Sequence, residues 1–216
     1  MQFFAAASKN DIGFVPQEDI MIRDLTVRDN ISFSASYRLP NNLDASDISS
    51  KVDKCISDLG MSHVQHNHIG DEMTRGISGG QRKRVNIGIE LVAEPQVLFL
   101  DEPTSGLDST SSYTLCKMLG DIARKRSMTI ASVIHQPSMS AFLEFDDLLL
   151  LGKGGLTIYH GPLKTAPDYF KSIGFPLPEK CNPADWYLDV SQGAQPRIDH
   201  PDFQKEDLFD LWERNR

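Results

Sequence analysis

Two short apolar runs with a helical pattern between them constrain the fold of this chain more than any other feature. Residues 97–100 read VLFL, residues 128–134 read MTIASVI, and apolar residues recur at helical spacing from about 108 to 125. Continuous apolar runs of this length are typical of strands that are buried in a parallel sheet. Strands that alternate with helices predict an α/β layered domain.

Further helix and strand signals lie on both sides of these runs. Thr26 and Asp29 predict the capped start of one helix, and Asp44 predicts the start of a second helix that ends at Gly60. Residues 147–161 predict two strands around a glycine-rich turn. The predicted elements therefore extend over most of the chain.

Composition narrows the class of protein. The chain has 216 residues, of which 40% are hydrophobic, and this suits one globular domain with at most a small annex. A net charge of -8 argues against a role in coating nucleic acid. The three cysteines, Cys55, Cys116 and Cys181, are widely separated, which predicts reduced thiols. No apolar run approaches the roughly 18 residues of a membrane span, so we expect this chain to be soluble or peripheral.

The stretch SGGQ predicts an anion site at the start of a helix. Ser78 and Gln81 have the spacing of a capping box, so a helix is expected to begin at Ser78. Gly79 and Gly80 leave backbone N–H groups uncovered, and uncovered amides at a helix N-terminus attract anions such as phosphate. An ordinary capped helix with solvated basic residues at 82–84 is the alternative that this stretch alone leaves open.

Polar residues also follow three of the predicted strands. Asp101 and Glu102 come directly after the run at 97–100, His135 follows the run at 128–134, and Gln17 follows the first predicted strand. Ligand sites in open α/β sheets lie at the carboxyl ends of the strands. One of the two acids can hold Mg²⁺, and the other can orient or deprotonate a water molecule.

Taken together, these motifs resemble those of ATP-binding cassette (ABC) proteins. ISGGQ at 77–81 is similar to their signature motif, VLFLDE at 97–102 to their Walker B strand, and SGLD at 105–108 to their D-loop. His135 resembles their switch histidine, and Gln17 resembles the glutamine of their Q-loop. The wider wording, including DEPTSGLDST and NPADWYLDV, resembles the G subfamily, the White-type and pleiotropic-drug-resistance transporters.

The resemblance implies a fold and a domain plan. It implies a P-loop NTPase-like core with a parallel sheet and a helical signature subdomain, truncated at its N-terminus. Residues 1–160 are expected to form a partial nucleotide-binding domain, with the helical subdomain at about 26–93. Residues 161–216 are expected to be a C-terminal helix and linker toward a transmembrane domain. Within them, the Pro-, Asp- and Gln-rich stretch 182–204 favours a linker, and residues 207–216 fit either a docked helix or a frayed end.

The resemblance also implies residue roles, with ATP and Mg²⁺ as cofactors. Asp101 would position Mg²⁺, Glu102 would be the general base, and His135 would contact the γ-phosphate. Gln17 would contact the metal and couple to the membrane domain.

A second set of residues would act across a dimer interface. In the family, two nucleotide-binding domains pair head-to-tail with ATP between them. Ser78, Gly79, Gly80 and Gln81 would therefore bind the nucleotide of the partner domain, and Asp108 would communicate across the interface. The implied partners are this second domain, in a homodimer or heterodimer, and a transmembrane domain on the cytoplasmic side of a membrane, with no nucleic acid.

The sequence departs from the family pattern in one respect. It contains no G-x-x-x-x-G-K-[ST] motif, and its Gly152–Lys153 pair has neither the upstream Gly nor a following Ser or Thr. Only 16 residues precede Gln17. We therefore expect the sequence to be the middle of a larger protein, whether as a partial gene model, a splice product or a degenerate copy.

Two functions are compatible with these features. The first is the ATP-binding and ATP-hydrolysing domain of a G-subfamily transporter that powers export, with this chain inactive by itself. The second is a non-catalytic fragment or regulatory partner that supplies only the signature half of a site. A soluble ABC ATPase of DNA repair or translation is disfavoured by the G-type wording after His135. The transported substrate is not readable from the sequence.

Overall fold

The computed structural model describes residues 11–71, 76–198 and 203–215, which form two compact units. The first unit runs to His135, and the second begins at Gln136. The predicted division at about residue 160 concerns the link to a membrane domain and stays a prediction. Within the three described ranges, no helix is both long and apolar enough to cross a membrane.

A parallel sheet lies in the first unit, which confirms the predicted α/β class. Its strand order is β1-β2-β3, and both pairings are parallel. Val15 pairs with Leu100, and Asp101 pairs with Val133, so the carboxyl ends of the strands lie along one edge. The strands are β1 (Ile12–Val15), β2 (Val97–Asp101) and β3 (Thr129–Val133).

The expectation that the runs at 97–100 and 128–134 are strands buried on both faces is wrong for the described part of the chain. Leu98 and Leu100 of β2 are buried, whereas Phe99 between them is 39% exposed. Phe14 and Val133 on the flanking strands are exposed as well. Successive side chains of a strand point to opposite faces. The exposed residues therefore mark a sheet face that the described residues of this unit leave open to solvent.

Among the described residues of the first unit, four α-helices pack around its core, and side chains cap each of them. Thr26 and Ser78 each form the predicted capping box. The side chains of Asp44 and Asp108 accept hydrogen bonds from backbone N–H groups of the first turn. These contacts satisfy amides that have no partner within the helix. The helices are α1 (Val27–Arg38), α2 (Ala45–Asp58), α3 (Gly79–Leu91) and α4 (Ser109–Arg126).

Helix α3 packs closely against its neighbours. Its residues Val85, Ile87 and Leu91 are fully buried. A Cβ atom at Gly88 would lie 2.7 Å from Leu59 Cδ1 and 3.0 Å from a side-chain carbon of Ile31. A glycine at this position therefore allows α3 to approach α1 and the end of α2, which fixes the position of α3 in the core.

The second unit has an aromatic core beside an antiparallel strand pair. Phe170 and Tyr187 stack with ring centroids 4.3 Å apart, and both side chains are buried. The strands are β4 (Asp147–Leu151) and β5 (Thr157–Pro162), which confirms the predicted pair. The helices are α5 (Met139–Phe142), α6 (Ala166–Ser172), α7 (Pro183–Gln192) and α8 (Asp207–Asn215).

Part of the stretch for which composition favours a linker is helical instead. Helix α7 begins after Asn182, whose side chain caps it, and Tyr187 and Val190 are buried in the core of the unit. Residues 199–202 of the same stretch lie outside the described residues. Of the two alternatives for the end of the chain, docking is confirmed, because Leu208 of α8 is fully buried.

Candidate functional site

Glu102 lies directly after β2, in a backbone conformation that few residues adopt. Its φ is 45°, in the left-handed region, where a non-glycine residue is disfavoured by roughly 1 kcal/mol or more. Two backbone hydrogen bonds hold it there. Glu102 N donates to Val133 O at 3.0 Å, and Ser105 N donates to Glu102 O at 3.1 Å. The end of β2 is therefore anchored to β3 and to the following turn.

Two side chains contact the Glu102 carboxylate, one at each oxygen. Gln17 Nε2 donates to Oε2 at 2.8 Å, and His135 Nε2 lies 3.0 Å from Oε1. The Glu102 side chain is 22% exposed and that of His135 is 76% exposed, and Gln17 is exposed as well, so the cluster is open to solvent. The structure thus brings together three of the sequence-predicted residues, each from the end of a different strand.

Asp101 is the last residue of β2 and lies beside this cluster. It pairs with Val133 across the sheet and is partly buried. Asp101 has strand geometry, whereas Glu102 turns away from the strand through its positive φ. The two adjacent carboxylates therefore occupy different backbone environments, as expected for residues with different roles. Those roles stay predictions.

The turn at Ser78 forms a second group of predicted residues. Gln81 N donates to Ser78 Oγ at 3.3 Å, and Ser78 N donates to Gln81 Oε1 at 2.8 Å. A Cβ atom at Gly79 would have no described atom outside its own helix within 4 Å. The backbone of this turn is therefore accessible from outside the chain.

Asp108 lies at the start of α4, close to this turn. A Cβ atom on Gly80 would lie 4.0 Å from Ser111 Cβ, in the first turn of α4. Asp108 accepts hydrogen bonds from Thr110 N at 3.1 Å and Ser111 N at 3.2 Å. Hydrogen bonds from Ser111 and from backbone amides lower the pKa of Asp108, so this side chain is an anion that caps α4.

Two of the basic residues after the turn make structural contacts rather than extending the anion site. Lys83 Nζ donates to Gln17 O at 2.6 Å and lies 3.4 Å from Asp19 Oδ1. Arg84 Nη1 donates to Leu59 O at 3.2 Å. The sequence left open that these cations are solvated, whereas both donate to backbone carbonyls and Lys83 is only 15% exposed.

Sequence reasoning did not identify Asn86 as part of the site. It is fully buried on α3, and its side chain bonds to the backbone of the loop that carries Gln17. Buried polar side chains are almost always paired. An asparagine between the core residues Val85 and Ile87 was the available signal, because it interrupts an apolar stretch of a helix.

Two family models match the chain. One, described as ABC transporter, matches residues 4–105, and the other, described as ABC-2 type transporter, matches residues 135–215. Among solved structures, cbiO1 from Clostridium perfringens, described as part of the ABC transporter complex cbiONQ, is similar with a TM-score of 0.60 and 26% sequence identity. The similarity covers 83% of this chain and 67% of that chain.

Curated relatives are similar over most of this chain. It is 50% identical over 185 residues to ABC transporter G family member 28 of Arabidopsis thaliana, which is 86% of this chain and 17% of that protein. It is 44% identical over 181 residues to the broad substrate specificity ATP-binding cassette transporter ABCG2 of Rattus norvegicus, which is 84% of this chain and 27% of that protein. The chain therefore spans only a minor part of these relatives.

Proposed function

The chain belongs to the ABC transporter family, in its G subfamily, and from this premise we propose that it is an ATP-hydrolysing part of a transporter that exports a substrate across a membrane. The observation that carries the proposal is the Glu102 carboxylate, held between Gln17 and His135 at the carboxyl edge of a parallel sheet. A carboxylate positioned in this way can orient or deprotonate the water that attacks a terminal phosphate.

Glu102 acts as the general base in this proposal. Its carboxylate accepts a proton from the water that attacks the γ-phosphate, and Gln17 and His135 fix the direction of its two oxygens. Fixing a base before the reaction removes an entropic cost from the chemical step. In this proposal His135, whose side chain is largely exposed, donates a hydrogen bond to a terminal phosphate oxygen.

The residues beside Glu102 fit a magnesium ion. Mg²⁺ prefers oxygen ligands and is held at nucleotide sites by one or two carboxylates together with phosphate oxygens. Asp101 supplies a carboxylate at the strand end. The Gln17 amide donates through Nε2 to Glu102, so its carbonyl oxygen is the atom that remains for a metal or a water. When bound, Mg²⁺ neutralises charge on the phosphates of ATP.

The turn at Ser78 serves a facing subunit. The open space at Gly79 lets a phosphate approach the backbone amides at the start of α3. We propose that a second nucleotide-binding domain holds that phosphate, in a homodimer or a heterodimer. A transmembrane domain completes the transporter, and the nucleotide-binding domain docks on its cytoplasmic side.

A second function rests on one specific observation. The 216 residues contain no G-x-x-x-x-G-K-[ST] motif, whose backbone amides and lysine grip the phosphates in P-loop proteins. A chain of this kind could supply only the signature half of a site, as a regulatory partner. In either case we expect the chain by itself to bind Mg-ATP negligibly and to show no turnover. Isothermal titration that gives micromolar affinity would contradict this expectation.

The test of the catalytic proposal is Glu102→Gln in a chimaera. Residues 12–190 replace the matching segment of the rat relative, which is 44% identical. Loss of the base should lower ATP turnover by about 100-fold or more, while ATP binding stays unchanged because the shape of the side chain is kept. Glu179→Gln, at an exposed position in the second unit, is the matched control. Equal loss of binding and turnover would reject the assignment of Glu102 as the base.

A further inference from the structure

Helix α3 holds the loop that carries Gln17 by three consecutive backbone carbonyls. Asn86 Nδ2 donates to Pro16 O at 3.2 Å and to Glu18 O at 3.3 Å. Lys83 Nζ donates to Gln17 O, which lies between them, at 2.6 Å. The carbonyls on both sides of Gln17 and its own carbonyl are therefore bonded to side chains of one helix.

Asn86 also accepts a hydrogen bond from the same loop. Ile20 N donates to Asn86 Oδ1 at 3.2 Å. The side chain is fully buried, so both ends of its amide are paired and its rotamer is fixed. Lys83 adds an ion pair with Asp19 at 3.4 Å. The backbone of residues 16–20 thus takes its position from α3.

The same helix begins at the turn that faces outward. Asn86 lies seven residues after Gly79, a distance of about 10 Å along an α-helix. One rigid element therefore connects the turn at Ser78 to the loop of Gln17, and Gln17 contacts Glu102 directly.

We propose that Asn86 and Lys83 are positioning residues that place Gln17 against Glu102 and tie the turn at Ser78 to this carboxylate. What this link does for catalysis rests on the proposed function. In that function the turn binds the nucleotide held by the facing subunit, whereas Glu102 acts on the other nucleotide. The link through α3 then runs between the two ATP sites of the dimer, within a single chain. A displacement of α3 by a nucleotide at the turn moves the side chain that orients the base.

The first test needs no nucleotide and uses this chain. Exchange of the Gln17 side-chain amide protons with water is measured by NMR in the wild type and in Asn86→Ala. Loss of three hydrogen bonds to the backbone of residues 16–20 should speed this exchange about tenfold. Unchanged exchange in a folded Asn86→Ala variant overturns the proposal.

Asn30 supplies the matched control. It is also buried, and it binds the same loop two residues farther on, where Ile22 N donates to Asn30 Oδ1 at 2.7 Å. Asn30→Ala should speed exchange of the Ile22 amide and leave the Gln17 side chain unchanged. Equal acceleration at Gln17 in both variants would mean general loosening of the loop, which also overturns the proposal.

A variant of Lys83 provides a second test if Asn86→Ala does not fold. Its side chain is 15% exposed, so Lys83→Met keeps the aliphatic part and removes the donor to Gln17 O together with the ion pair to Asp19. This variant should speed exchange at Gln17 several-fold, and Lys83→Arg, which keeps a donor, should restore wild-type exchange. No change in Lys83→Met refutes the positioning role.

Turnover in the chimaera separates this inference from the proposed function. Asn86→Ala should lower kcat about tenfold with little change in KM for ATP, because it displaces Gln17 and not the nucleotide. If Glu102→Gln has no effect, the proposed function fails, whatever the exchange data show. If Glu102→Gln lowers turnover but Asn86→Ala does not, only the positioning role fails.

Discussion

The Glu102 carboxylate and the turn at Ser78 both lie at the end of an element that packs in the core. Described side chains of the same chain contact the carboxylate, but the space beside the turn is left open. Glu102 is contacted at both oxygens by side chains of its own unit. The turn uses its side chains to cap α3 and leaves the space at Gly79 without a described neighbour. The first group is therefore preorganised within one chain, whereas the backbone of the second is open to solvent among the described residues.

The physical origin of this difference lies in the secondary structure. The end of β2 adjoins β3, so side chains from adjacent strand ends converge on one edge. A helix N-terminus instead leaves amides pointing along the helix axis, beyond its own first turn. Side chains at a strand end thus find partners within their own sheet, whereas the amides at a helix N-terminus are free to bind an anion.

A charge placed at the open turn is expected to have a large effect on ATP turnover. Gly79→Asp in the chimaera should lower ATP turnover by about 100-fold, because a carboxylate repels the triphosphate that the amides would bind. Folding of this chain should be unaffected or slightly favoured, because the Cβ meets open space and an acid at a helix start is favourable. Turnover assays and thermal denaturation measure the two effects. A large loss of stability would show that the turn is packed inward and would contradict the open space at Gly79.

An effect on stability alone is expected at Asp58, a carboxylate that is also held at both oxygens. Its side chain is 3% exposed and pairs with Lys125 at 2.5 Å and with Arg126 at 2.6 Å. Asp58→Asn should lower the free energy of unfolding by about 3 kcal/mol, because it leaves Arg126 partly buried without its partner. Asp121→Asn, in an exposed pair with Arg124, is the control and should change it by less than about 1 kcal/mol. Urea denaturation of this chain distinguishes the two.

The pH dependence of the same pair has a definite sign. Burial raises the pKa of Asp58, but hydrogen bonds and charges of Lys125 and Arg126 outweigh burial and hold the pKa below 3.8. The folded pKa lies below the unfolded one, so the stabilisation is present above about pH 4 and is lost as the pH falls through the folded pKa. Acid denaturation should therefore begin at a higher pH in Asp58→Asn than in the wild type. An unchanged midpoint of acid denaturation would contradict the role of the pair.

Much of the arrangement around Glu102 could be predicted from the sequence. Gln17, Glu102 and His135 each follow an apolar run, and parallel strands share a carboxyl edge, so local pattern was enough to place them together. The capping box of Ser78 and Gln81 is local as well, and the structure contains it.

Contacts that depend on distant residues could not be predicted in this way. Asn86 lies 66 residues from Ile20 in sequence, and only the packing of α3 brings them together. Composition also failed for α7, where Pro183 begins a helix and aromatic burial outweighs the turn-forming residues around it. Local rules thus identified the residues that meet at Glu102 and missed the residues that bond to the loop of Gln17.

The central claim is that the turn at Ser78 and Glu102 of one chain act on different nucleotides, and mixed assemblies of the chimaera test it most directly. Differently tagged subunits allow purification of assemblies that carry Gly79→Asp and Glu102→Gln either on separate subunits or on one. If the claim holds, separate subunits leave one intact site and measurable ATP turnover, whereas both changes on one subunit disable both sites. Turnover retained only when both changes are on one subunit would show that the turn and the carboxylate share a nucleotide, and would contradict the account.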